Sequence, residues 1–414
     1  MTKRKKQNPS PGDTFKLSRK SALQPQRGKT VLYPGVYVEE VPSGVRTISR
    51  IETSITAFIG QAGMGPFNDP VTITSFSEFE NVFGNLQAGN SLGYSVRDFF
   101  LNGGGKAVVI RVGANATLLT SDDFIGPENQ TDKTGLYALE RVDLFNLLVI
   151  PPYNGGGDVD TSVIAEAAAY CERRRAFMIM DPPASWTTVS LAAAGISTLG
   201  TSSENAAVYF PSVRQPDPLQ QNALSIFPPA GAIAGIYART DAKRGIWKAP
   251  AGFEATMKGV QDFTITLSDQ ENRVLNSLGI NSLRSQPSSG PVVWGSRTLQ
   301  GGDAYSSEWK YVPVRRTALF IEESLYRGTA WTVFEPNNET LWAQLRLSVN
   351  AFMQDLFRQG AFQGAASKEA YFVKCGTDTT TVNDIADRRV NLLVGFAPLK
   401  PAEFVVLQLT LKSG

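Results

Sequence analysis

The chain closes on an apolar strand that reads as unpaired, left hanging off the end of its own module. In Phe404-Val-Val-Leu-Gln-Leu-Thr-Leu411, Val405, Leu407, Leu409 and Leu411 share one face, and Phe404, Val406, Gln408 and Thr410 share the other. This period-two pattern reads as a strand with one buried and one half-buried face. It hangs from Ala397-Pro-Leu-Lys-Pro-Ala-Glu403, at the end of a module that begins near Trp309. The backbone N–H and C=O groups of such a strand require a sheet edge. A similar signal stands near the other end, where Tyr33-Pro34-Gly35 turns into Val36-Tyr37-Val38-Glu39-Glu40-Val41 and stops at Pro42-Ser43-Gly44. Two terminal strands in need of edges point to assembly rather than catalysis.

Between them strands alternate with helices. Thr53–Gly60, Ala107–Val112, Asn146–Ile150, Phe177–Met180 and Ala207–Phe210 are apolar strand runs, separated by helical stretches such as Ser91–Leu101 and the alanine-rich Val163–Arg175. That order predicts an α/β domain with an at least partly parallel sheet. Phe227–Asp241 reads as a loop and a small-residue helix, and a composition shift places a domain boundary between 253 and 270. The remainder, roughly 270–414, is expected to be mixed α+β with one dominant helix. That helix begins after Pro336 with Asn337 or Asn338 as N-cap and Glu339 in its first turn. Leu341, Trp342, Leu345, Val349, Phe352, Met353 and Leu356 form its apolar stripe, and Arg346, Asn350, Gln354 and Arg358 a polar one at i+4 steps.

Composition narrows the function. At 414 residues the chain exceeds one ordinary core. Its charged fraction, 19%, is low, as expected when much surface ends inside an assembly. No apolar run approaches the roughly 20 residues of a membrane span, so no membrane insertion is expected. Met-Thr-Lys-Arg-Lys-Lys has no apolar stretch behind it and is not a secretory signal. There is no histidine, which removes His-based acid–base catalysis, Ser-His and Cys-His nucleophiles and imidazole metal ligation. Cys171 and Cys375 have no Cys-x-x-Cys spacing and read as buried free thiols. Residues 1–29 hold nine Lys/Arg against one acid, Asp13, about +8, while the other 31 basic and 37 acidic residues give about −6. The segment reads as a disordered basic tail.

Motifs with catalytic shapes fail on context. Asn102-Gly-Gly-Gly-Lys106 opens a strand and is followed by Ala107, whereas a phosphate-binding loop opens a helix and continues with Ser or Thr. Ser307-Glu-Trp-Lys310 and Lys133-Thr-Gly135 stand in the wrong order for a penicillin-binding enzyme, and the former is expected to run into a strand. Ser121-Asp-Asp123 lacks the later ligands of a calcium loop. No catalytic, cofactor-binding or metal-binding residue is assigned.

Several stretches carry a family likeness. They are Tyr33–Glu40, Thr53–Gly60, Pro228–Asp241, Gly245-Ile-Trp-Lys-Ala-Pro250, Leu275–Asn281 and Val293-Trp-Gly-Ser-Arg-Thr298. Trp309–Arg316, Phe334-Glu-Pro-Asn337, Leu341-Trp342, Gly360-Ala-Phe-Gln-Gly364 and Pro398–Phe404 complete them. Together they resemble the tail sheath proteins of contractile-tailed phages and related contractile injection systems such as R-type pyocins. The resemblance spans about 31–414; the basic extension departs from it, and 110–220 carries few signatures.

The resemblance implies a structural subunit, not an enzyme, that polymerises in many copies around an inner tube, stores energy when extended and contracts. It implies strand donation between subunits through Val36, Tyr37, Val38, Glu39 and Val41 and through Phe404, Val405, Val406, Leu407, Leu409 and Leu411. It implies that the helix bearing Arg346, Asn350, Gln354 and Arg358 faces the tube. Partners would be other copies, the inner tube protein, and baseplate and terminal cap proteins, with no cofactor and no direct nucleic-acid contact. Assembly would take place in the bacterial or host cytoplasm, into a virion tail or a phage tail-like particle. The corresponding division is a basic tail at 1–30, an N-terminal β-arm and linker at 31–50, an outer α/β domain at 51–260, an inner tube-facing α+β domain at 261–402 and a C-terminal β-arm at 403–414. Two other classes remain open at this point: nucleic-acid binding through the basic tail, and an enzyme of unknown chemistry in the α/β domain.

Overall fold

The computed structural model describes residues 46–113, 118–154 and 157–399, and the backbone of 405–412. Val36, Tyr37, Val38, Glu39, Val41 and Phe404 lie outside the described residues. In chain order the strands are β1 (Thr56–Gly60), β2 (Val71–Ile73), β3 (Ala107–Arg111), β4 (Leu147–Val149), β5 (Phe177–Met180), β6 (Ala206–Phe210) and β7 (Val213–Asp217). They continue with β8 (Ala223–Phe227), β9 (Asp262–Phe263), β10 (Asn281–Gln286), β11 (Gly290–Val293), β12 (Tyr371–Lys374), β13 (Arg389–Phe396) and β14 (Val405–Lys412).

Eight strands make one sheet in the order β11-β10-β6-β5-β4-β1-β3-β2. The six inner strands, β10 to β3, are parallel, and β11 and β2 pair antiparallel at the edges. Continuous apolar runs suit such strands because both faces are covered. One face sends Phe58, Val109, Val149, Phe177, Ile179 and Tyr209 against the helices Ser91–Leu101 and Ala230–Arg244. The other sends Ile59, Val108, Leu148, Met178 and Val208 against the helix Thr161–Arg173 and its neighbours. The 91–101 and 230–244 helices touch backbone to backbone. A Cβ on Gly231 would stand 2.2 Å from the Ser95 carbonyl, and one on Gly235 would stand 2.3 Å from that of Phe99. The small-residue run of the 230–244 helix is therefore a packing surface. Asn102–Gly105 is the expected helix-to-strand turn, and Lys106 pairs with Glu52 at 2.8 Å.

Three expectations change. The boundary between 253 and 270 falls inside the sheet, since β10 pairs parallel with β6 through Asn281↔Tyr209 and Ser282↔Phe210. The α/β part thus runs to Val293 and beyond. The strand expected after Lys310 is a helix, Val312–Gly328, which Pro313 opens at a first-turn position that needs no N–H. The C-terminal part accordingly has two long helices, the other being Glu339–Arg358. These two share a third core with β12 and β13, built from Phe320, Ile321, Leu345, Phe352, Leu392 and Phe396. Cys171 and Cys375 are both free and buried. The described residues belong to one compact unit.

The joint between the sheet and the third core is ionic and buried. Arg316 donates to both carboxylate oxygens of Asp241 at 3.0 and 2.7 Å, and to the Thr53 carbonyl at 2.9 Å. The side chains are 2% and 4% exposed, and the guanidinium lies 4.7 Å from the centre of the Tyr237 ring. Farther along the same helix, Glu323 accepts from Arg175 at 2.9 Å and from Arg327 at 2.6 Å, and Arg327 reaches Asp143 at 2.7 Å. The Arg327 hydrogen bond holds the Asp143 carboxyl below its usual range. Removing one partner of a buried pair strands the other charge, which costs about 3–5 kcal/mol. Arg316→Met should lower urea stability by that amount, and the double variant Arg316→Met with Asp241→Leu should recover most of it.

A half-buried carboxyl makes stability depend on pH. Asp181, just beyond β5, accepts the Ala230 N–H at 2.7 Å through Oδ1, while its shielded Oδ2 has no partner. Burial pushes this carboxyl up from 3.8 to about 7. The folded form therefore holds its proton where the unfolded chain has released it, so stability is lost as pH rises from about 4 through about 7. Thermal unfolding of Asp181→Asn across that range should give a flatter profile than the parent, with the variant gaining relative stability above pH 7.

Candidate assembly surface

The third core carries the roots of both chain ends. On the N-terminal side, the Arg46 N–H donates to Ser348 Oγ at 3.1 Å and its guanidinium stacks 4.2 Å from the centre of Trp331. Ile48 is buried against Gly328, where a Cβ would come within 2.5 Å of its side chain. Arg50 reaches Asp355 and Gln359, and the Ile51 N–H faces Ser324 Oγ at 3.5 Å. Residues 46–50, expected as the end of the arm and linker, and Ile51 therefore lie along both long helices.

On the C-terminal side, β14 runs antiparallel to β13 over its whole length, from Arg389↔Lys412 to Phe396↔Val405, in a sheet ordered β12-β13-β14. Val405, Val406, Leu407, Leu409 and Leu411 all belong to this edge strand, and their pairing partners here are in the same chain.

The 339–358 helix is capped as expected: Asn338 Oδ1 accepts the Leu341 N–H at 3.1 Å. Its predicted apolar stripe is buried, and Trp342 Nε1 donates to Asn337 Oδ1 at 2.8 Å. The polar stripe divides. Arg346 donates to Glu339 at 2.6 Å and to the Cys375 carbonyl, which leaves its side chain 34% exposed. Asn350 donates to the Arg346 carbonyl at 2.8 Å, and Gln354 Oε1 accepts from the Tyr371 hydroxyl at 2.9 Å. These three flank the core; Arg346 ties the helix to the loop at 375 and Gln354 ties it to β12, while the Asn350 bond stays within the helix. Arg358 is exposed, with no ion pair among the described residues. The open face of the helix is Ala343, Leu347 (50% exposed), Ala351 and Asp355. A stripe at i+4 steps does not say which of its borders the core covers; β12, distant in sequence, decides that.

Concavity lies elsewhere. One cavity, of about 400 Å³, sits at the carboxyl ends of β4 and β5 among Ile150, Met180, Asp181 and Trp186. Another, of about 710 Å³, lies between Trp247, Trp294, Tyr311 and Phe396. Sequence reasoning anticipated neither, nor the Arg46 and Arg50 anchors, because each joins residues far apart in the chain.

Residues 126–299 match the family described as phage tail sheath protein central domain, and residues 305–412 match the phage tail sheath C-terminal domain. The chain belongs to the phage tail sheath family. It is a structural subunit of a contractile sheath. It is 28% identical over 391 residues to a prophage major tail sheath protein of Pseudomonas aeruginosa strain UCBPP-PA14, covering 90% of this chain and 94% of that protein. Its structure is similar to the sheath of the extracellular contractile injection system PVC in its contracted state (TM-score 0.68, 27% identity, 92% of this chain and 98% of the other). It is equally similar to the helical sheath of the anti-feeding prophage in its contracted state (TM-score 0.69, 28% identity, 91% and 98%). The sheath fold accounts for the mixed architecture, an α/β sheet domain followed by an α+β module that carries the C-terminal strand β14.

Packing of residues 46–51 against the long helices predicts a steric variant. Gly328→Ala places a methyl against Ile48 and should destabilise the subunit by about 1–3 kcal/mol. Limited proteolysis should show faster cleavage near residues 46–51 than in the parent protein.

Proposed function

We propose that the subunit polymerises as a helical array of many copies around an inner tube, and that its terminal strands lace each copy to its neighbours. The observation that carries this reading is the β13–β14 ladder. All eight residues of β14 pair through backbone, and the 397–404 stretch joins the strand to β13. That stretch can span roughly 26–29 Å when extended. Backbone pairing is indifferent to which copy supplies the strand, so the same ladder can form between subunits as β-augmentation. Val36–Val41 acts as the matching N-terminal strand, leaving from a root already fixed on the same core.

In this reading the array contracts while its strand links hold. An extended array that gains about a few kcal/mol of inter-subunit contact per copy on contraction moves one way and cooperatively. The tube-facing element is the open side of the 339–358 helix, with Arg358 and the partly exposed Arg346 meeting acidic groups on the tube. Baseplate and terminal cap proteins complete the partners. The protein works without a cofactor and as a structural element rather than a catalyst. It assembles in the cytoplasm of the producing cell, into a phage tail or tail-like particle.

Negative-stain microscopy tests the strand link. Full-length protein should form striated hollow tubes, whereas a variant lacking residues 404–414 should stay folded by circular dichroism and fail to polymerise. Tubes of normal length from the truncated chain would refute strand donation.

A further inference from the structure

The turn between the two long helices displays a strained, exposed aromatic residue. The Glu335 N–H donates to the Thr332 carbonyl at 3.1 Å, Val333 lies at φ −63°, ψ 128°, and Phe334 lies at φ 71°. This is a type II turn, whose third position requires positive φ and usually holds glycine. A phenylalanine there is a conformational outlier. Its ring is nevertheless 83% exposed, and the adjoining Val333 is 48% exposed. Neither the strain nor the exposed ring is offset by a ring contact among the described residues.

The turn is held firmly on both sides. Thr332 is buried and donates to the Thr329 carbonyl at 2.8 Å. Asn337 donates to the Arg389 carbonyl at 3.0 Å and accepts from Trp342. Phe334 is thus presented on a rigid pedestal. Strain held in place by its surroundings, and meeting no partner among the described residues, points to a contact beyond them.

A receptacle of matching chemistry exists on another part of the same surface. The 710 Å³ cavity is walled by Trp247, Trp294, Tyr311 and Phe396, ample for one phenyl ring. Lys248 stands in its lining, with a single hydrogen bond to the Ala249 carbonyl and no carboxylate partner among the described residues. Beside Phe334, the Glu335 carboxylate has, among the described residues, only a long, exposed contact of 3.9 Å with Arg46. An apolar knob beside an acid complements an aromatic cavity beside a base.

We infer that Phe334 of one copy seats in the Trp247–Trp294 cavity of a second copy, with Glu335 facing Lys248. The inference rests on the sheath-subunit reading, in which this chain meets copies of itself. Knob and cavity are different surfaces, so the contact is heterologous and repeats along an open array. Because Phe396 forms part of the wall, the knob would sit at the point where β13 gives way to the strand link.

The turn geometry makes the test unusual, since a variant can favour the monomer and harm the polymer. Phe334→Gly relieves the positive φ, so its soluble subunit should melt at or above the parent temperature. Its critical concentration for self-assembly without tube protein, followed by sedimentation, should rise by about tenfold or more, as for removal of an interface hot spot. Glu335→Lys and Lys248→Glu should each weaken assembly, and together restore it. Phe334→benzoylphenylalanine, irradiated in assembled particles, should crosslink to peptides containing Trp247 or Trp294 of another copy. Assembly of Phe334→Gly at the parent concentration would overturn the inference, as would crosslinks to the tube protein or to any other segment. Full-length protein that forms no polymer would instead refute the sheath reading, and this contact with it.

Discussion

The molecule is organised around one guanidinium. Arg316 leaves the start of the 312–328 helix, enters the space beneath the 230–244 helix and binds Asp241 in a fork, with the Thr53 carbonyl as a third acceptor. Burying both charges is unfavourable unless geometry and hydrogen bonds are nearly complete. Here two carboxylate oxygens, a backbone carbonyl and the face of Tyr237 surround the group. Three segments far apart in sequence, around Thr53, Asp241 and Arg316, are thereby fixed at one point. A hydrophobic joint of similar area would tolerate sliding, whereas a forked ion pair fixes orientation.

The sheet domain was legible where its signal was local. Apolar runs at β1, β3, β4, β5 and β6 separated by helical stretches give the parallel alternation, and Asn338, Glu339 and the Leu341–Leu356 stripe give the last long helix nearly to the residue. The Asn102–Lys106 turn was separable from a phosphate loop because the element that follows it is a strand.

What was hidden is long-range. The β6–β10 pairing rests on two residue pairs between segments some seventy positions apart, and nothing in 270–300 announces membership of an earlier sheet. The β7–β8 hairpin is fixed to the 91–101 helix by Tyr94–Asp217 and Asp98–Gln215 hydrogen bonds, which no periodicity encodes. Pro313 opens a helix where a strand was expected after Lys310. The polar stripe of the 339–358 helix was visible, but its orientation depends on β12 and the Cys375 loop. Phe334 is the reverse case: its residue type argues against the conformation it adopts, and only the folded backbone exposes the conflict.

The anchoring of residues 46–51 has a mechanical meaning. Ile48 wedges beside Gly328, Arg46 and Arg50 grip the 339–358 helix, and β13 leads out of the same small core. Tension applied at either terminus enters the body at one place. The 312–328 helix would pass such a load to the sheet through the buried Arg316–Asp241 pair. Both ends of the described chain are thus seated on one small, stiff body.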